Sequence, residues 1–221
     1  MASDLKENVF ARFAIIGCLS CLYLRFLDLD ARDHKTQTVK VKAENEWVHK
    51  LIEQLGDKKP QIDPTAWVHP SAVIIGDVTI GPRSSIWPHV TIRADEGSVI
   101  IGADTNIQDG TTVHMTGGLS TVSVGDRVTV GHNCILHGCT IENDILIGMG
   151  SIILDNARVE TGAFMGAATL VTGNKVVPKN SYVLGNPMRM VKQAGEREKT
   201  WIAYAWKHYA ENALRYQKEE T

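Results

Sequence analysis

Residues 141–183 read IENDILIGMGSIILDNARVETGAFMGAATLVTGNKVVPKNSYV, and an aliphatic side chain returns every six residues, at Ile141, Ile147, Ile153, Val159, Met165, Val171, Val177 and Val183. Toward the N-terminus the series continues through Leu136, Val130 and Val124, through Val113, Ile107 and Ile101, and through Ile92, Ile86, Ile80, Ile74 and Val68. One residue is skipped before Ile141; five extra residues precede Val124 and three precede Ile101. All nineteen positions are Val, Ile, Leu or Met. With those types at about a quarter of ordinary residues, the odds of this by chance are on the order of one in 10^11, and choosing the resets returns only a few powers of ten.

Four residues after the aliphatic position the side chain is small or thin, as at Ala72, Val78, Ser84, Thr105, Thr111, Cys134, Ser151, Ala157, Ala163 and Thr169. Both positions are expected to point inward. Pro70, Pro82 and Pro88 each fall two residues after an aliphatic one, where a fixed φ suits a corner and a missing donor does no harm. The pattern resembles the hexapeptide repeat of the left-handed parallel β-helix, in which three hexads make one triangular coil and coils stack about 4.8 Å apart. The expected fold is therefore all-β with flanking helices: a left-handed parallel β-helix of slightly more than six coils, trimeric, with an N-terminal extension and a C-terminal α-helix.

Three segments are expected: residues 1–59 as a helical extension and linker for partner docking, 60–190 as the β-helix, and 191–221 as the C-terminal helix. The last, from Gly195 to Glu220, places Trp201, Tyr204, Ala205, His208 and Ala213 on one broad face after a solvated start at Glu196, Arg197, Glu198 and Lys199. Near the N-terminus, Phe13–Leu24 is apolar between Arg12 and Arg25, short of the roughly 20 residues of a membrane span. Asp4, Lys6 and Glu7 do not form the basic leader of a secretory signal. A very apolar helix over residues 9–29 is expected, one that is stable only when buried against another protein. Cys18 and Cys21 read as packing residues within it, and a short amphipathic helix from Glu44 to Leu55, using Trp47, Leu51 and Ile52, is expected to stop at Gly56. The formal net charge of −2, from 23 basic and 25 acidic residues, gives nucleic acid no net field to bind. Four cysteines are too few for a disulfide scaffold and are expected as buried free thiols.

Residues three hexads apart occupy the same face of adjacent coils. Arg93, His114 and His137 each follow an aliphatic position, at Ile92, Val113 and Leu136, and so form one vertical column. His114 and His137 would lie one coil apart, close enough to share a metal at about 2.0–2.1 Å. His132 lies around a corner; in a threefold oligomer the neighbour's His132 would face the column and complete a three-histidine site with an open fourth position for water. Gln108, one coil below the His132 corner, would hydrogen-bond that water or a ligand. His34, His49, His69, His89 and His208 have no comparable stacking.

The ordered set Arg93-Ala94-Asp95-Glu96-Gly97, Asn106-Ile107-Gln108-Asp109-Gly110, His114, Gly131-His132-Asn133-Cys134-Ile135-Leu136-His137-Gly138-Cys139, Ile147-Gly148-Met149-Gly150 and Gly185-Asn186-Pro187 resembles the γ-class carbonic anhydrase family across about residues 60–190. The resemblance implies a homo- or heterotrimer with zinc, or iron or cobalt, held by His114 and His137 of one subunit and His132 of the next. It implies intersubunit salt bridges through Arg93, Asp95 and Asp109. It also implies hydration of CO2 to bicarbonate, with Gln108 orienting the attacking hydroxide and Glu96 helping to remove a proton. The loop Met115–Thr121 is short and lacks the acidic insertion that carries the proton shuttle in archaeal-type members, so turnover is left open where metal binding is expected.

The apolar extension is similar in character to that of the γ-carbonic anhydrase subunits attached to mitochondrial respiratory complex I, which dock a trimer on membrane-arm subunits at the matrix side of the inner membrane. That resemblance implies a structural or assembly role there. Two other readings share the prism: a free-standing γ-carbonic anhydrase, and a hexapeptide-repeat acyltransferase, for which no catalytic base or acyl-CoA site is marked.

Overall fold

The computed structural model describes residues 51–219. The apolar helix expected at 9–29, the linker that follows it, Cys18 and Cys21 all lie outside the described residues. The rest is a left-handed parallel β-solenoid of about seven turns, closed at its C-terminal side by one antiparallel strand and a long helix.

The six-residue series is the core. Of its nineteen positions, those from Ile74 to Val183 are all buried and packed in one continuous cluster, with Val68 partly buried at its edge. The ten small side chains four residues on are buried as well, each exposing 1% or less. Register follows the three-hexad rule throughout: Ile74 pairs with Ile92, Ile92 with Val113, Val113 with Leu136, and Leu136 with Ile153. The extra residues before Ile101 and Val124 do not disturb it, because Ile80 still pairs with Ile101 and Ile101 with Val124. Insertions bulge outward at a corner while the inward column stays in line.

Corners explain much of the remaining sequence. The residue three places after the aliphatic one adopts a left-handed conformation at Arg83, His89, Asp104, Arg127, Asn133, Asp144, Asn156, Ala168, Asn174 and Asn180, with φ between 53° and 61°. Asn and Asp tolerate this region best among residues with a side chain. Pro82 and Pro88 immediately precede Arg83 and His89, so a ring-fixed φ is followed by a positive one, as a type II turn requires. The buried hydroxyls face corner carbonyls: Ser84 Oγ donates to Gly102 O at 2.6 Å, Thr105 Oγ1 to Gly125 O at 2.7 Å and Thr111 Oγ1 to Gly131 O at 3.1 Å. Cys134 and Cys139 are free and buried. Burial pushes their thiols up to about 11 and about 12, outside the reactive range at neutral pH.

Gln61–Ile62 opens the solenoid and pairs with Thr79–Ile80. One element differs from the sequence expectation. Within the described part of the segment expected as an amphipathic helix, Ile52–Glu53 is instead a strand paired with Ile74–Ile75. The open first coil offers unpaired backbone groups, and edge pairing prevails over a weak helical periodicity.

The C-terminal helix, Glu196–Glu219, lies along the sheet face formed by strands such as Trp67–Val68, Ser85–Ile86 and Asn106–Ile107. Its contact is aromatic: Trp67 and Trp87 meet at 4.9 Å between ring centroids, Trp87 and Tyr209 at 5.2 Å, and Trp67 and Tyr216 at 5.4 Å. Ile202, Ala205 and Ala213 are buried, whereas Trp201 and Tyr204, expected on the packed face, are about half exposed at 50% and 53%. His208, grouped with them, is exposed. Glu198 is not part of a solvated start. It is buried, accepting the Gly195 N–H at 2.7 Å and pairing with Lys192 at 2.9 Å, which ties the helix start to the antiparallel strand Arg189–Gln193.

Candidate metal centre

The strands Thr112–His114 and Ile135–His137 are neighbours, and His137 pairs directly with His114. Both rings leave the same face one coil apart, with His114 Nδ1 and His137 Nε2 3.3 Å from each other. Each outer nitrogen meets a carboxylate: His114 Nε2 lies 3.1 Å from Asp95 Oδ1, and His137 Nδ1 lies 3.1 Å from Asp155 Oδ2. An ionised carboxylate only accepts, so the outer nitrogens carry the protons and the inner two present lone pairs to one another. Two lone pairs at this distance are stabilised by a cation between them, a proton or a metal ion. Two ligands of a tetrahedral zinc at about 2.05 Å are themselves about 3.3 Å apart, so the donor pair fits such an ion.

The carboxylates are themselves held. Partial burial alone would raise the Asp95 carboxyl, but hydrogen bonds from Arg93, its own backbone and His114 together outweigh it and hold it below the usual carboxylate range. Asp155 behaves alike: burial opposes its charge, and Ser120, His137 and Thr116 together keep it low. Asp155 is the residue that the sequence reading missed. Its signal was the repeat itself, since it follows Ile153 by two places and Ile153 pairs with Leu136, which sets it beside His137.

His132 stands at the opposite end of the same strand, at the corner that precedes Ile135. At about 3.3 Å per residue, five residues place it roughly 16 Å along the chain from His137, too far to share an ion within one chain. It has its own partner, with Nδ1 3.0 Å from Asp109 Oδ2 one coil below. Among the described residues no three His, Cys, Asp or Glu side chains of one chain converge on a metal position. Gln108, on the helix-covered sheet beside that corner, is only 4% exposed. Its amide donates to Asn106 Oδ1 at 3.0 Å, and Asn106 in turn donates to Thr129 Oγ1 at 3.0 Å.

Arg93 and Asp95 form an ion pair within the chain on the strand Thr91–Ile101. Glu96, next along it, is exposed, with Oε2 accepting the Gly117 N–H at 3.1 Å. The residues thus fall at two corners: Arg93, Asp95, Glu96, His114 and His137 at one, and Gln108, Asp109 and His132 at the other.

Known proteins share the repeat and the fold. Residues 59–94 match the family model described as bacterial transferase hexapeptide (six repeats). A mitochondrial relative from Arabidopsis thaliana, gamma carbonic anhydrase 2, is 39% identical over 166 residues, covering 73% of this chain and 60% of its own length. The chain therefore spans about three fifths of that relative. Protein YrdA of Escherichia coli is 42% identical over 159 residues, covering 69% of this chain and 86% of its own. Among solved structures, a hexapeptide transferase family protein from Anaplasma phagocytophilum superposes with a TM-score of 0.71 at 35% identity, covering 74% of this chain and 96% of its own.

Proposed function

The chain belongs to the γ-class carbonic anhydrase family of hexapeptide-repeat proteins, and from that premise we propose that it is a γ-carbonic anhydrase-like subunit of mitochondrial NADH dehydrogenase (complex I). Its role there is structural or in assembly, at the matrix side of the inner membrane, and its homo- or heterotrimer carries an intersubunit metal centre with the chemistry to hydrate CO2 to bicarbonate. The observation that carries the metal centre is the facing pair of imidazole lone pairs, each backed by a carboxylate. The mitochondrial relative supports the location, and the apolar stretch from Phe13 to Leu24 supports docking on membrane-arm subunits.

His114 and His137 of one subunit and His132 of the next hold the ion in this proposal. Zinc, or iron or cobalt in the same donor set, supplies Lewis acidity that brings the pKa of water toward neutrality. The chain's own residues do the rest. Asp95 and Asp155 keep the two imidazoles in the tautomers that expose their inner nitrogens. Bringing the second corner of one subunit against the first corner of another places Gln108 with the histidines, where its amide orients the attacking oxygen. Glu96, exposed and steadied by the Gly117 N–H, receives the proton.

Metal analysis and a CO2-hydration assay of the purified trimer test the proposal. About one divalent ion per three-histidine site and hydration above a metal-stripped control support it. A metal-free trimer after purification with added zinc or iron overturns the metal centre, and acetyl transfer from acetyl-CoA without hydration favours the acyltransferase reading. Removal of residues 1–43 should leave a soluble, metal-binding trimer that no longer comigrates with a respiratory membrane complex on native gels. Unchanged comigration would move the attachment to the solenoid or the C-terminal helix.

A further inference from the structure

The loop that follows His114 is tied to the other histidine of the pair. Thr116 Oγ1 donates to Asp155 Oδ2 at 3.3 Å and Ser120 Oγ to Asp155 Oδ1 at 2.5 Å, while Oδ2 also accepts from His137 Nδ1 at 3.1 Å. Ser120 Oγ accepts the Thr116 N–H at 3.2 Å, and the Leu119 and Ser120 N–H groups both donate to Thr116 O. The loop is thus wound around one carboxylate. Gly138, directly after His137, leaves room for it: at φ +61°, a Cβ there would lie 2.1 Å from both Asp155 Oδ1 and Ser120 Oγ.

We infer that Asp155, with Ser120 behind it, is a positioning residue that fixes His137 as its Nδ1–H tautomer and so sets the metal affinity of the centre; the inference rests on the metal-centre reading above. A free imidazole side chain prefers the Nε2–H form, which would direct a proton at His114 Nδ1 and remove a ligand atom. The carboxylate reverses that preference by accepting at Nδ1. Ser120 and Thr116 bond to it as well, one at each oxygen, so its orientation toward the histidine is held. The loop after His114 therefore holds His137 through Asp155 as well as Glu96 through the Gly117 N–H.

The test uses the full-length chain, with zinc alone as the probe. Nitrogen-15 histidine spectra of the metal-free protein at a pH where the ring is neutral, with His137→Gln to assign the signal, read the tautomer directly. The wild type should show His137 as Nδ1–H. Asp155→Ala should shift it toward Nε2–H and weaken zinc about 10–100-fold in competition with a chromogenic chelator. Ser120→Ala, which removes one hydrogen bond to the carboxylate without touching the histidine, should weaken zinc in the same direction by less. Should Asp155→Ala fail to fold, Asp155→Asn keeps the shape and must still lower zinc affinity. An unchanged His137 tautomer together with zinc affinity within about twofold overturns the inference while the metal centre stands. If wild type binds neither zinc nor, in the same titration, iron or cobalt, the metal-centre reading falls, and the tautomer shift alone decides the role of Asp155.

Discussion

His114 and His137 are paired in register across two parallel strands, their facing nitrogens 3.3 Å apart although 23 residues separate them in sequence. The distance exists because this coil consumes three hexads plus the five extra residues before Val124, which bulge outward, so one turn of chain returns to the same face. Anything that keeps the register keeps the pair.

If the third ligand comes from the next subunit, His132→Ala and His137→Ala trimers should each fail to retain zinc. Mixed trimers assembled from the two should recover one intact site each, where the unmodified pair of one subunit meets the unmodified His132 of the other. Zinc titration after subunit exchange measures this, and no recovery in verified mixed trimers rejects the shared site. Both side chains lie at the surface of a corner or strand end, so melting temperatures of the metal-free variants should stay within a few degrees.

Ile100 and Ile101 are neighbours with opposite fates, 51% and 1% exposed. Ile101→Ala should cost about 2–5 kcal/mol, through lost transfer energy and a cavity in the column. Ile100→Ala should cost under about 0.5 kcal/mol. Denaturant unfolding of both variants checks the six-residue register; comparable losses would contradict it.

Ala168 holds a corner at φ 57° without the local hydrogen bonding that eases Asn or Asp into that region. The left-handed backbone costs about 1–2 kcal/mol there. Glycine removes that strain and adds roughly 0.5–1 kcal/mol of chain entropy cost. Ala168→Gly should therefore stabilise by about 0.5–1 kcal/mol, seen as a melting temperature higher by a few degrees.

Glu142 accepts from the Thr161 N–H at 2.9 Å and Thr161 Oγ1 at 2.8 Å and pairs with Arg158. The Thr161 backbone and hydroxyl contacts, outweighing burial and aided by Arg158, hold its carboxyl below the usual value. A depressed folded-state pKa contributes stability above the unfolded value of about 4.3, lost as pH falls through the folded one. Glu142→Gln should be less stable than wild type at pH 7 and equal to it in strong acid. A gap that persists or widens in acid would show that the ionised form is not the one being stabilised.

The sequence by itself determined the inward column, the three-hexad register and the stacking of His114 on His137, because two side chains in six, the aliphatic one and the small one four places on, must be buried and added residues can be accommodated only outward at a corner. Tertiary structure alone decided the outward environments. Gln108 and Asn106 are buried because a helix about 90 residues later in sequence covers their sheet. Ile52–Glu53 is a strand because the first coil leaves an edge to pair. The hydrogen bonds of Asp155 to the Thr116–Ser120 loop are formed across an insertion that has no period of its own. A repeat fixes what the chain must bury against itself; which polar groups meet at a corner depends on loops and helices that owe nothing to its phase, and there only the fold supplies the answer.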